Sequence, residues 1–177
     1  MCWSVAEAGQ GVNSSRVFSE SRVKYGEKYD EHLLQQYLLY VQMADRVSEM
    51  RSLGNTFFLT ANTAILSALG IVTAVYPPQT LTGGFLDFVA CLSPTLLCYT
   101  WFRIVKSYQQ LNTGKFAVIH EIEKRLPLAP YKAEWDAVGG GVDSQKYTPL
   151  TDVEKWVPVI FIGLYGVLGL TALVRVV

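Results

Sequence analysis

The residues able to do chemistry are few and scattered. His32 and His120 lie far apart in the chain, and neither has a Cys or carboxylate at metal-ligand spacing, although Glu121 directly follows His120. Cys2, Cys91 and Cys98 are an odd number of thiols with neither zinc nor disulfide spacing, and they read as reduced. The run Gly139 to Gly141 lacks the Lys-Ser/Thr that follows a phosphate-binding loop, so it reads as a flexible turn. These residues support no catalytic, cofactor-binding or metal assignment, no cofactor is implied, and the expectation is a protein that is not an enzyme.

A different pattern carries more information. Thr56, Thr60, Thr63, Ser67, Gly70 and Ala74 recur at steps of three and four residues, which puts them on one helix face, with Asn55 and Asn62 beside it. Within an apolar helix such a stripe has two uses. Small and hydroxyl-bearing residues let helices approach and bond across an interface, or they wet a pore. Asp87 is the third candidate of this kind, a charge within one turn of the end of another apolar stretch, where it can also simply reach water. Asn55, Thr56, Thr60, Thr63, Ser67, Gly70 and Asp87 are therefore candidates for an oligomer interface or a pore lining.

The elements that position these residues are membrane spans. Of 177 residues, 50% are hydrophobic and 17% charged, against roughly 25% charged in soluble proteins. Lys plus Arg and Asp plus Glu each total 15, which argues against a nucleic-acid partner held by a basic surface. Three apolar stretches match the roughly 20 residues that a helix needs to cross a bilayer: 57–76, 85–104 and a third within 152–175. The first carries no charge and stops at Pro77-Pro78. Gly163, Gly166 and Gly169 give the third a smooth surface. Pro94 removes a backbone donor inside the second and predicts a kink.

Six basic residues precede the first span and eight lie from Arg103 to Lys155, whereas the loop PPQTLTGG has none and only Arg175 follows the third span. Lys and Arg near a span favour the cytoplasmic side. This places the N-terminus in the cytoplasm and the C-terminus outside.

Helical periodicity continues past the membrane. Leu33, Tyr37, Val41 and Ala44 keep the period upstream of the first span, predicting a cytoplasmic amphipathic helix over 29–56 that runs into it. Tyr108, Leu111, Val118 and Ile122 keep it over 105–126, until Pro127. A short loop makes the two helices antiparallel neighbours, so Leu33, Tyr37 and Val41 should face Leu111, Val118 and Ile122 in a cytoplasmic hairpin. Residues 127–151 read as an irregular connection with one short turn near Tyr131 to Ala137. Thr151 to Glu154 matches a capping box for a third helix starting at Asp152. Residues 1–28 read as a poorly ordered tail. The fold class predicted is an all-α integral membrane protein with three transmembrane helices, the first two extended into an antiparallel cytoplasmic hairpin, in a homo-oligomer.

The runs YLLYVQMADRVSEMRSLGNTFFLTANTAILSALG, SYQQLNTGKFAVIHEIEKRLPLAPYKAEW and KYTPLTDVEKWVPVIFIGLYG together resemble the RipA family of bacterial octameric membrane proteins. The resemblance covers about residues 29–170. It implies a small inner-membrane protein with three spans and a cytoplasmic helical part, assembled as a homo-octamer; the number eight comes from the resemblance alone. It carries no catalytic residue onto this chain. Two functions follow as expectations: a membrane scaffold whose cytoplasmic stalk binds a protein partner, or a gated channel. The partners expected are the lipid bilayer, further copies of the chain and a cytoplasmic protein.

Overall fold

The computed structural model describes residues 14–76, 81–140 and 147–174. Residues 1–13, 77–80, 141–146 and 175–177 lie outside the described residues, and the expectations that fall on them, including those for the tail before Ser14, Gly141 and Arg175, stay as stated. Among the described residues the chain forms helices and no strand. They are α1 (Ser14–Val17), α2 (Arg22–Tyr25), α3 (Tyr29–Val75), α4 (Leu81–Glu123), α5 (Pro130–Ala137), α6 (Leu150–Glu154) and α7 (Trp156–Val174).

α3 is one unbroken helix of 47 residues, because from Tyr29 to Val75 there is no proline and the apolar period never shifts. α4 has 43 residues and keeps Pro94 within it. It starts four positions earlier than the apolar run suggested, since Leu81 and Thr82 are as compatible with a helix as the residues that follow. Near Pro94, the Thr95 hydroxyl donates to the Cys91 carbonyl at 2.8 Å. Long apolar windows in α3, α4 and the α6–α7 region qualify all three as membrane spans by length and composition. Only 6% of the α3 window is buried within one protomer, so lipid or another chain must cover the rest.

The third helix departs from its predicted form. α6 begins at Leu150, which puts Thr151 inside the helix and not at the cap position. Helix is then interrupted at Lys155 before α7 begins. The cause is Pro158, which has no N–H for the carbonyl of Glu154 and whose ring would crowd it. The side-chain carboxylate of Glu154 lies 3.6 Å from the Arg51 guanidinium of α3.

The chain divides into two compact units, one comprising the described parts of Met1–Met50 and Tyr108–Pro149, the other Arg51–Ser107 with Leu150–Val177. In the first, here the polar unit, Tyr37, Ala44, Ile119 and Ile122 are buried, with Leu33, Val41, Phe116 and Val118 packed around them. Lys115 is buried in the same seam and sets its ammonium 4.9 Å from the Tyr40 ring centre, a cation–π contact that offsets part of the cost of burying the charge. The expectation of a poorly ordered tail is corrected for residues 14–25, where Ser21 caps α2 and Val17 and Phe18 pack onto this core. Arg125 covers the Phe18 ring at 3.4 Å and donates to Tyr29 Oη at 2.7 Å.

Glu123, at the end of α4, explains how the connection is held. Its carboxylate is 1% exposed and accepts from Tyr37 Oη, from the backbone N–H of Tyr131 and from that of Lys132, each at 3.0 Å. The two amides belong to the first turn of α5, where backbone donors lack helical partners and a negative charge is favourable. At the other end, Gly139 (φ 89°) and Gly140 (φ 61°) adopt the left-handed conformation, and the Gly140 N–H closes on the Trp135 carbonyl at 2.8 Å.

Candidate functional site

The second unit, the span unit, is organised around Asn62. This residue sits on α3 with no exposed surface. Its Nδ2 donates to the Phe58 carbonyl at 2.8 Å, one turn back in the same helix. Its Oδ1 accepts from the Cys98 thiol of α4 at 3.0 Å. The Tyr165 hydroxyl of α7 lies 3.0 Å from the Asn62 carbonyl and 3.2 Å from its Oδ1, so one proton serves two acceptors. Cys98 and Tyr165 are also fully buried. One amide thus fastens all three spans, and in hydrocarbon each of these polar groups would be costly if left unpaired.

An aromatic stack extends this knot. Trp101 of α4 lies nearly parallel to Phe58 of α3, with ring centres 5.7 Å apart, and reaches Phe161 of α7 at 6.3 Å. Its indole N–H donates to Asn55 Oδ1 at 2.9 Å. The whole apolar core of the unit, including Cys91 and Val105, surrounds these contacts. Gly169 belongs here as well: a Cβ there would lie 3.2 Å from Phe88 and 3.5 Å from the Cys91 Cβ, so α7 and α4 approach closely at this point. Gly163 and Gly166 face open space instead, and the smooth surface expected of the third span is split between two directions.

The predicted stripe is on the outside of the protomer. Thr56, Thr60, Thr63 and Ser67 are exposed and Gly70 is half-buried, with open space where its side chain would be. Three of the hydroxyls turn back on their own helix: Thr56 donates to the Ser52 carbonyl at 3.0 Å, Thr63 to Leu59 at 2.8 Å and Ser67 to Thr63 at 2.8 Å. Asn55 is separated from them, held inward by Trp101. Asp87 is partly exposed on α4. Five of the six hairpin candidates meet in the polar unit, namely Leu33, Tyr37, Val41, Val118 and Ile122. Leu111 does not, and is 48% exposed.

The sequence pattern puts Asn62 beside the stripe, about 100° around the helix from Thr63, and gives no signal for Tyr165. The available signal was weak but real: a lone Asn in an uncharged span faces a cost that only a buried partner removes.

The fold and this knot define the class, an all-helical membrane protein with three spans. The family model of the octameric membrane protein family (8xMP) matches residues 34–174, and the chain belongs to that family. Neither a curated protein nor a solved structure matches it.

Proposed function

We propose that the protein is a non-enzymatic scaffold of the bacterial inner membrane, a homo-octamer whose polar unit is a cytoplasmic stalk that engages a protein partner. The observation that carries this reading is the Asn62 knot. Polar groups within the spans are spent on holding α3, α4 and α7 together, and the stripe hydroxyls Thr56, Thr63 and Ser67 are bonded to their own helix. Both features suit a packed assembly that needs no water inside it. The excess of Lys and Arg in 1–56 and 103–155 supports an N-inside, C-outside orientation. A cysteine at Thr82 should then be labelled only from the outer side of intact cells; labelling only from the cytoplasm reverses the topology.

The test of the scaffold reading is mass in mild detergent followed by conductance of the reconstituted particle. An octamer that is electrically silent under voltage, tension and pH steps fits a scaffold, and a monomer in several detergents ends it. A gated channel is the second reading, favoured by the exposed Thr and Ser of the stripe, which would form stacked hydroxyl rings if eight copies turned them inward.

A further inference from the structure

Two features of the span unit lie at one level of the membrane and on opposite sides of α3. The first is a groove between α3 and α4, lined by Ile65, Ala90, Ser93, Pro94, Leu97 and Thr100. The second is the stripe, of which Thr63, Ser67 and Gly70 flank the level of Ile65. Ile65 is two residues from both Thr63 and Ser67, and two residues turn an α-helix through about 200°. Groove and stripe therefore face away from each other on the same helix.

Both features are unfinished within one protomer. In the groove, Pro94 has no N–H to give the carbonyl of Ala90, and Ser93 is exposed at the groove's edge, whereas the Thr100 hydroxyl is already bonded to the Leu96 carbonyl at 3.0 Å. In the stripe, Gly70 leaves open space and the exposed Thr63 and Ser67, their hydroxyls bonded within their own helix, leave a surface of small side chains with nothing packed on it. Lipid tails cannot satisfy the carbonyl that Pro94 leaves without its helical donor. A ring of parallel copies needs two different, complementary patches at equal depth on opposite sides of each subunit, and family membership supplies the second copy.

We infer that the α3 stripe of one copy seats in the α4 groove of the next, with Thr63 and Ser67 entering beside Pro94. The Ser67 hydroxyl, now spent on the Thr63 carbonyl one turn back, is at the level to exchange that bond for the Ala90 carbonyl across the interface. Small side chains on the stripe permit the close approach that this needs. The inference rests on the proposed self-assembly and adds to it the surface that does the assembling.

The test uses the full chain with Cys2→Ser, carrying Ser67→Cys on the stripe and Ser93→Cys in the groove, oxidised in native membranes. Each copy then has both halves of the contact, so disulfides should propagate into a ladder of trimers and larger species, whereas Ser67→Cys or Ser93→Cys alone, like the unmodified chain, should not cross-link. The pair Thr63→Cys with Leu97→Cys repeats the test if the first fails to express. Efficient dimers from Ser67→Cys alone, with the double variant stopping at dimers, would mean that stripe meets stripe and would overturn the inference. An octameric mass with no ladder from either pair would overturn it while leaving the assembly intact. A monomeric mass would remove the assembly reading and this inference with it.

Discussion

Tyr165 of α7 and Asn62 of α3 share one hydroxyl proton between a backbone carbonyl and a side-chain oxygen, at 3.0 and 3.2 Å, although 103 positions separate them in the chain. The contact makes the last span part of the core formed by the first two. It also makes Asn62 the residue whose loss should be felt in all three helices.

Asn62→Leu leaves the Cys98 thiol without its acceptor oxygen and takes one of two acceptors from the Tyr165 hydroxyl, which keeps the backbone carbonyl of residue 62. In water-soluble proteins a buried group so stranded costs about 1–3 kcal/mol, but helices unfolded within a membrane find other partners, and measured bonds there average about 0.6 kcal/mol. The expected loss is therefore about 1–2 kcal/mol, read as a lower thermal midpoint in detergent. Tyr165→Phe should cost less, since the Asn62 side chain keeps Cys98 and Phe58 as partners. A midpoint unchanged by Asn62→Leu would mean that the knot does not hold the spans.

In the polar unit the expected contrast is between two apolar residues of α4. Val118 packs into the seam against α3, whereas Leu111 is exposed. Val118→Asp puts an unpaired charge among apolar groups at a cost of several kcal/mol, and limited proteolysis should then enter the polar unit. Leu111→Asp should leave the protease pattern unchanged. The reverse order of sensitivity would show that the seam is packed in another register.

This contrast also shows what could be read from the amino-acid order. The spans were legible because an apolar run free of charge, or charged only near its ends, has one physical meaning at that length, and the seam was legible because Tyr37, Val41, Val118 and Ile122 each keep a helical period. Leu111 keeps the same period and is exposed, since periodicity fixes a face of a helix but not the width of its neighbour. The break at Lys155 was written in Pro158, yet the capping pattern of Thr151 and Glu154 competed with it, and the proline clash prevailed. Tyr165 was illegible for another reason. A tyrosine in an apolar run is compatible with packing, with the interface and with a hydrogen bond, and only its position opposite Asn62 decides.

Stability of the polar unit should depend on pH at both extremes. Burial, reinforced by the neighbouring Glu123 carboxylate, pushes the Tyr37 phenol well above its ordinary value of 10.0. A raised pKa for a group that is neutral when protonated means that its contribution is complete below pH 10 and is lost as pH rises toward the native value. Glu121 behaves oppositely. The Lys124 ammonium, and after it the Ser14 hydroxyl, hold its carboxyl below the ordinary 4.5, so its contribution is present above that value and is lost as pH falls through the lower one. Tyrosine absorbance at high pH should show a phenol that ionises only with unfolding and disappears from the titration in Tyr37→Phe. At low pH, cleavage at Arg16 should appear before the seam opens. A Tyr37 that titrates normally in the folded protein would contradict the buried bond to Glu123.

Conduction separates the two functions most sharply. If eight stripes faced one axis, Thr56, Thr60, Thr63 and Ser67 would form successive hydroxyl rings, and Asp87 rings near the other end of the spans would select cations. Asn55 would contribute no ring, because its oxygen is held by Trp101 at 2.9 Å. Beyond Ser67 the same face continues with Gly70 and Ala74, small and apolar, and a narrow stretch of that character tends to lose its water. The expected result is little or no current at rest. Asp87→Asn should lower cation preference in any current that a stimulus evokes, and Asn55→Ala should lower stability without changing selectivity. Large constitutive currents indifferent to Asp87 would require water along a path that these residues do not line, and would sink both the gated pore and the packed scaffold.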